Sequence, residues 1–219
     1  MNQAVPSSSS KRSHFWIRVG TTLFAAWLLG VAALMFWWDH EPERFDVVAS
    51  AQAAAARREQ GVVVGTVTTE TLIRDTETLL DKRGGYLSND LLPPGAIMDN
   101  QPNWEFGALT QTRDFAKAFR NEFSRSQTQS REDPNLMEAD PLYSSPNDRW
   151  LLPSSESQYR QAAEHVRGYL AQLTDADEYN AQFYARADNL ADWLAIVEKR
   201  LGSLSQRLSA SVGQDSAAS

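Results

Sequence analysis

The sequence predicts an all-α protein: a single transmembrane helix, a helical stalk, and a periplasmic bundle of about four helices with two long loops. An apolar run near the N-terminus is long enough to cross a bilayer. Beyond it, apolar residues recur at intervals of three and four, the period of a helix buried along one face. The predicted segments are a cytoplasmic tail (1–13), the transmembrane helix (14–38), the stalk or linker (39–66), the helical domain (67–209) and a disordered tail (210–219).

The apolar run contains twenty consecutive uncharged residues, Val19–Trp38. A helix rises about 1.5 Å per residue, so twenty residues span roughly the 30 Å of hydrocarbon in a bilayer. Signal peptides have shorter apolar cores that end at small residues, whereas this run ends in Trp37 and Trp38. With Trp16 at the other end, these rings are typical of the interfacial aromatic belts. We therefore predict an uncleaved anchor that contacts the lipid bilayer through residues 14–38.

Charges on the two sides of the run predict its orientation. The basic residues Lys11, Arg12 and Arg18 precede it, and acidic residues follow it: Asp39, Glu41 and Glu43. An excess of Lys and Arg marks the cytoplasmic side, so the N-terminus is expected in the cytoplasm and the bulk of the chain on the other side. Arg18 lies at the boundary, where its long side chain can extend to the headgroups.

The composition excludes several classes of function. The formal net charge is −7, and the part after the anchor carries −10 because three of the basic residues precede it. Such an acidic domain is a poor partner for nucleic acid, so none is expected. The chain has no cysteine, which rules out disulfides, thiolate nucleophiles and cysteine-based metal sites.

The segments after the anchor begin with an alanine-rich stretch, "FDVVASAQAAAARREQG" (45–61), whose helix propensity predicts the stalk. The next stretch, "VVVGTV" (62–67), is predicted to be an extended linker or an edge strand. A first bundle helix ends near Gly84–Gly85, and its apolar stripe is Leu72, Ile73, Thr76, Leu79 and Leu80. A second covers 104–123, with the stripe Ala108, Thr112, Phe115, Ala116, Phe119 and Phe123.

A third helix is predicted to start at Ser155, because Ser155 as N-cap and Gln158 three residues later form a capping box. Its stripe is Tyr159, Ala162, Ala163, Val166, Leu170 and Leu173. A fourth covers 183–208, where apolar residues alternate by four and three: Phe183, Ala187, Leu190, Leu194, Val197, Leu201, Leu204 and Leu208. We expect this stripe to be buried within the chain; the alternative is a coil that faces a protein partner or a second copy.

The connections differ in length. The short link Leu173–Phe183 predicts an αα-hairpin of the third and fourth helices. The loop 84–103 carries apolar residues and is expected to pack onto the bundle. The loop 124–153 is polar, and its acidic part (131–140) lacks the Asp/Asn–Gly pattern of a dedicated calcium loop, so a solvated run of charges is the favoured interpretation.

Residue types with catalytic chemistry are sparse. The three histidines stand apart, so no metal site is expected; His165 is interpreted as an exposed helix residue. No phosphate-binding loop is present, and no cofactor is expected. The least arbitrary candidate binding site combines Trp104 and Glu105 with Asp90 and Asp99, because sugars stack on indole rings beside carboxylates. An acidic residue near a helix start explains Glu105 equally well.

The wording of several segments resembles an uncharacterised proteobacterial family, domain of unknown function (DUF) 2333. These segments are "TLIRDTETLLDKRGGYLSNDLLPPGAIMDNQPNWEFGALTQTRDFAKAFRNEFSRSQTQSREDP", "WLLPSSESQYR", "NAQFYARADNLADWL", "RLGSLSQRLSASVG" and the "EPERFDV" after the anchor. The resemblance implies a single-span inner-membrane protein with a periplasmic bulk and no assigned catalytic residue. It also implies a further helical region after "SASVG", which would make this chain a short member.

Together these features predict a non-enzymatic interaction or scaffold protein of the cell envelope. The prediction depends on the missing metal, thiol and triad constellations and on the long heptad helix. The alternative is a protein that binds or hydrolyses envelope glycans with the acidic residues around Trp104.

Overall fold

The computed structural model describes residues 9–126, 131–175 and 180–218, and within these ranges it contains seven α-helices and no strand. The prediction of an all-α fold is confirmed. Most of the predicted cytoplasmic tail, residues 1–8, lies outside the described residues. The helices are α1 (Ser9–Trp38), α2 (Val47–Arg57), α3 (Thr66–Asp81), α4 (Asn100–Ala118), α5 (Pro134–Tyr143), α6 (Ser155–Thr174) and α7 (Ala187–Ala218).

Helix α1 contains the predicted anchor. Its segment His14–Trp38 is the one helical stretch in the described part of the chain that is long and apolar enough to cross a membrane. None of its most apolar window is buried against the rest of the chain, and Trp16, Arg18 and Trp37 are exposed. Trp38, by contrast, is half-buried, so only the last turn of α1 meets the domain.

The core lies between α3, α4, α5 and α6. All five predicted stripe residues of α3 are buried. The α4 stripe continues into a π-helical turn, Phe119–Phe123, and α6 contributes Tyr159, Val166 and Leu170. Tyr143 of α5 is fully buried, and its hydroxyl lies 2.8 Å from the Thr76 hydroxyl, as a buried tyrosine requires.

Helix α4 begins at Asn100 rather than at residue 104. The sequence places Pro102 in its first turn, and proline is compatible with that position because the first N–H groups of a helix have no intrahelical acceptor. The predicted start was therefore too late by one turn.

The predicted stalk is wrong as a free element, although its helix exists. Ala51, Ala54 and Ala55 of α2 are almost fully buried, and α2 packs on α3. Alanine lets two helix backbones approach closely. An ion pair of 2.7 Å between Arg58 and the buried Glu70 fastens the end of α2 to α3. The segment is thus part of the domain. Its packing was not predicted because its buried residues are alanines, which are only weakly hydrophobic.

Helix α5 lies inside the loop that was predicted to be long and polar. Asp133 caps it by accepting the N–H groups of Asn135 (2.9 Å) and Leu136 (3.2 Å), and Pro134 occupies its first position. An Asp-Pro pair is a recognised helix start, but the acidic composition of the segment favoured the prediction of a loop. Arg120 pairs with Glu132 and, at 3.0 Å, with Asp140, so these carboxylates are ion-paired.

The start of α6 differs by one residue from the prediction. Ser154 is the N-cap, and its hydroxyl oxygen accepts the Ser157 N–H at 3.3 Å. Ser155 is buried instead, and its hydroxyl donates to the Pro146 carbonyl at 2.8 Å. The serine chosen as a cap therefore holds the α5–α6 loop.

Helix α7 contradicts three predictions. It packs on α4 rather than forming a hairpin with α6, and its leucine stripe is not buried: exposed fractions are 48% for Leu190, 49% for Leu194 and 67% for Leu208. The helix also continues to Ala218, through residues predicted to be a disordered tail. The cause is α5, which packs on both α4 and α6 and takes the place expected for α7.

Three contacts hold α7 on α4. The Trp193 ring lies 5.0 Å from the Phe115 ring, Arg200 pairs with Asp114 at 2.5 Å, and the Asn189 amide donates to the Glu122 carbonyl. Phe183, predicted to start the stripe, precedes the helix and packs on Phe119 and Phe123.

Because the stripe is half-exposed, truncating it should cost little. We expect Leu194→Ala to lower the free energy of unfolding by less than about 1 kcal/mol, whereas Leu170→Ala, in the core, should cost about 2–5 kcal/mol. Thermal and denaturant unfolding of the full chain in detergent measures both. Equal losses at the two positions would show that α7 is buried after all.

Candidate functional site

The four residues predicted to form a glycan site do not share one site: Asp90 lies close enough to Glu105 for their charges to interact, whereas Trp104 lines a separate groove. Glu105 is fully buried, Trp104 is half-buried, and Asp90 and Asp99 are exposed on the α3–α4 loop (82–99). Trp104 lines a groove beside α3 and α7, and Glu105, the next residue on α4, lies outside that groove. The pKa of Asp90 is raised by burial and by the neighbouring carboxylates Glu105 and Glu156.

Both oxygens of Glu105 accept hydrogen bonds. One oxygen accepts from the Lys82 ammonium and from the Leu87 N–H at 2.8 Å; the other accepts from the Ser88 N–H at 2.8 Å and from the Ser88 hydroxyl. Lys82 also donates to the Gly85 carbonyl, and its side chain is 2% exposed. This arrangement, the Glu105 clamp, fixes the α3–α4 loop and leaves the carboxylate shielded from solutes, so the geometry does not favour the glycan alternative.

A groove of about 830 Å³ lies between α3, α4 and α7, and we name it the α7 groove. Aromatic and aliphatic side chains dominate it, with a row of threonines along α3. The residues of α3 are Thr68, Thr71, Asp75 and Thr78; those of α4 are Trp104, Ala108, Gln111, Thr112 and Phe115; those of α7 are Ala187, Leu190, Trp193, Val197 and Leu201. A large apolar groove with few polar groups is typical of a binding site.

Two polar groups in the groove are available to a ligand. Asp75 is open to solvent, but the groove walls displace part of its hydration, and this desolvation raises the pKa of its carboxyl to about 6. The buried indole N–H of Trp193 has no acceptor among the described residues. A buried donor without an acceptor costs about 1–3 kcal/mol. A ligand with a cation and a carbonyl group would satisfy both.

The end of α7 extends the groove. Residues 201–210 are all exposed, and Leu201, Leu204 and Leu208 continue the stripe beyond the Arg200–Asp114 ion pair, with Arg207 beside them. An exposed apolar stripe of this length is typical of interaction surfaces.

The groove was not predicted from the sequence because all the apolar stripes were assigned to one closed bundle. A sign of the groove was present in the heptad pattern of 183–208, because that stripe is longer than the stripes of α3, α4 and α6 that could cover it. Its continuation past Leu201 indicated a surplus apolar face.

Metal-binding side chains do not converge. Within residues 9–126, 131–175 and 180–218, no three His, Asp or Glu side chains are placed to hold an ion.

A family model described as "Uncharacterized protein conserved in bacteria (DUF2333)" matches residues 9–219, so the chain belongs to this family. No curated protein and no solved structure is similar enough to match it. The family confirms the resemblance found in the sequence and assigns no activity.

The Glu105 clamp predicts a graded loss of stability. Glu105→Ala removes the acceptor of all four donors and leaves the Lys82 ammonium buried beside only a carbonyl, so we expect a loss of about 3–5 kcal/mol. Lys82→Met leaves three of the four hydrogen bonds to Glu105 and should cost less. Denaturant unfolding of the full chain in detergent measures both. A Glu105→Ala variant with unchanged stability would contradict the clamp.

Asp75 predicts a dependence of stability on pH. Its pKa rises from 3.8 to about 6 on folding. Below about pH 4 the carboxyl is mostly protonated in the folded chain and folding carries no charge penalty. As the pH rises through 6 the folded chain must hold the charge in the groove, and its stability falls. In the monomeric chain, Asp75→Asn should therefore be more stable than the wild type at pH 7.5, by about 1 kcal/mol because solvent screens the exposed side chain, and equally stable at pH 4. Thermal unfolding at both pH values measures this; Asp81→Asn, outside the groove, is the control. An identical pH profile for Asp75→Asn and the wild type would contradict it.

Proposed function

We propose that this chain is a non-enzymatic, single-pass scaffold protein of the bacterial inner membrane, whose periplasmic helical domain associates with a second copy through α7. The observation that carries the proposal is the exposed stripe of α7 beside the α7 groove. A membrane-anchored chain with an exposed coiled-coil face, whose Lys82, Ser88 and buried Glu105 are bonded to one another, suits assembly better than chemistry.

Three features support the membrane location and orientation. The segment His14–Trp38 is long and apolar enough to span a bilayer. The basic residues before it and the acidic residues after it favour a cytoplasmic N-terminus. The family is bacterial, and a domain without cysteine tolerates an oxidising periplasm because it has no thiols to lose.

The groove and the exposed C-terminal part of α7 are complementary. The groove offers an apolar floor, the Asp75 carboxylate and the Trp193 N–H. The end of α7 offers Leu204 and Leu208 with Arg207 between them. When the end of one α7 lies in the groove of the other copy, Arg207 of one copy can pair with Asp75 of its partner. Helices bind in grooves in this way through residues three and four apart.

Symmetry completes the argument. Two copies in the same bilayer share one orientation, and they can be related by a two-fold axis along the membrane normal. Such an axis makes the contact reciprocal, so each copy gives one helix end and one groove. Tethering in a membrane raises the local concentration and favours even a modest interface.

The experiment pairs two full-length chains in one membrane, one carrying Ala108→Cys and the other Leu204→Cys. The natural chain has no cysteine, so every disulfide joins introduced positions, and a different affinity tag on each chain distinguishes the 108–204 heterodimer from the 108–108 and 204–204 homodimers. We expect a heterodimer crosslink between positions 108 and 204, because Ala108 lines the groove and Leu204 lies on the exposed C-terminal part of α7. Met137→Cys, an exposed apolar position on α5, replaces Leu204→Cys as the control.

Charge reversal adds a second measurement. Asp75→Arg and Arg207→Asp should each convert the dimer to a monomer in light scattering, and the double variant should restore the dimer. A wild-type monomer with no 108–204 crosslink would refute self-association. Crosslinking of position 108 to a different protein instead would refute it as well and assign the groove to another partner.

A further inference from the structure

Two loops of the domain present large apolar side chains to solvent at the same place. They are the α3–α4 loop, with Leu91, Leu92 and Ile97, and the α5–α6 loop (144–154), with Trp150, Leu151 and Leu152. All six are more than half exposed, and Leu152 is 92% exposed. Six such residues in two short loops are too many for a surface that faces water alone. We name this surface the loop patch.

The α3–α4 loop lies against the end of the anchor. Ile97 and Met98 share a cleft of about 200 Å³ with Met35 and Phe36 of α1. Trp38 packs so closely on Gly84 that a side chain there would meet its ring at 2.7 Å. Met35 and Phe36 belong to the apolar segment itself, so Ile97 lies at the level of its last turn.

The α5–α6 loop is fastened to the α3–α4 loop. The Asn89 amide donates to the Arg149 carbonyl and to the Glu156 carboxylate, both at 2.8 Å. The Tyr86 hydroxyl donates to the Asn147 carbonyl at 3.0 Å. Since Arg149 immediately precedes Trp150, these bonds place the second apolar tip beside the first.

We infer that the loop patch inserts into the headgroup region of the bilayer that α1 crosses, so that the domain lies on the membrane surface instead of standing away from it. The inference rests on the proposed function, because it requires α1 to span the membrane. Lipid is the occupant that the geometry favours, since the patch adjoins the last turn of the span. Its content also fits: tryptophan and leucine are the side chains of interfacial segments, and Arg149 can reach the phosphates.

The test uses the full chain with one introduced cysteine, labelled with an environment-sensitive fluorophore and reconstituted in phosphatidylethanolamine–phosphatidylglycerol vesicles. Leu152→Cys reports on the patch, and Trp27→Cys reports on the middle of the span. Met137→Cys is the control: Asp140 of α5 pairs with Arg120, which lies in the π-helical turn after α4 and therefore roughly 30 Å from the start of α4 at Asn100. Quenching by nitroxide lipids and by aqueous iodide is compared at each position.

We expect lipid quenching at positions 27 and 152 and iodide quenching at 137. Replacing Leu91 and Leu92 with serine should weaken the lipid quenching at 152 and leave that at 27 unchanged. If 152 behaves like 137 while 27 stays in lipid, the inference is overturned and the anchor stands. If 27 is itself open to iodide, the anchor fails, and the inference fails with it. Shielding of 152 from both quenchers would indicate a protein cover and overturn the assignment to lipid.

Discussion

The architecture depends on one buried carboxylate. Glu105 takes four hydrogen bonds from Lys82, Leu87 and Ser88, and so it binds the end of α3 and the following loop to α4. A buried ion pair is not in itself strongly stabilising, but the loss of one partner is costly. The clamp therefore acts mainly on geometry. It holds the loop that meets Trp38 on one side and the α5–α6 loop on the other.

A second constraint is the number of helices that can pack around the core. Helices α3, α4 and α6 leave room for one more helix, and α5 occupies it with Leu136, Ala139 and Tyr143. Helix α7 packs on α4 and keeps an open stripe. The groove is thus a direct consequence of α5: its floor is the face of α4 that a further helix would otherwise cover. This is why the exposed leucines and the groove occur together.

The sequence predicted the parts of the fold that depend on periodicity. The stripe of α3, the span of α1 and the Ala-rich helix α2 all follow from local patterns. Local patterns do not show which of two helices will pack on a given surface, and there the prediction was wrong. The short helix α5, rather than the longer stripe of α7, packs on α4 and α6. The start signal at Asp133–Pro134 was visible, but nothing in the pattern ranked it above Leu190–Leu208.

The same limit applies to the candidate site. Trp104 and Glu105 are neighbours in sequence, and the sequence suggested one site for both. On a helix adjacent residues point about 100° apart, so Trp104 reaches the α7 groove while Glu105 enters the clamp. Asp75 and Trp193, which line the same groove, are separated by 118 positions. Only the packing of α7 on α4 brings them to one groove.

The two proposed surfaces are linked by the direction of α7. Asn189 contacts Glu122 and Arg200 contacts Asp114, so α7 runs antiparallel to α4. Helix α4 begins at Asn100, next to the end of α1. From Arg200 to Ala218 the helix α7 continues for about 27 Å, which is more than the roughly 21 Å from Asp114 back to Asn100. The C-terminal part of α7 therefore runs back toward the end of α1. A domain that lies on the bilayer through the loop patch would present this part of α7 close to the surface, where a second anchored copy is confined and the groove of each is within reach of the other.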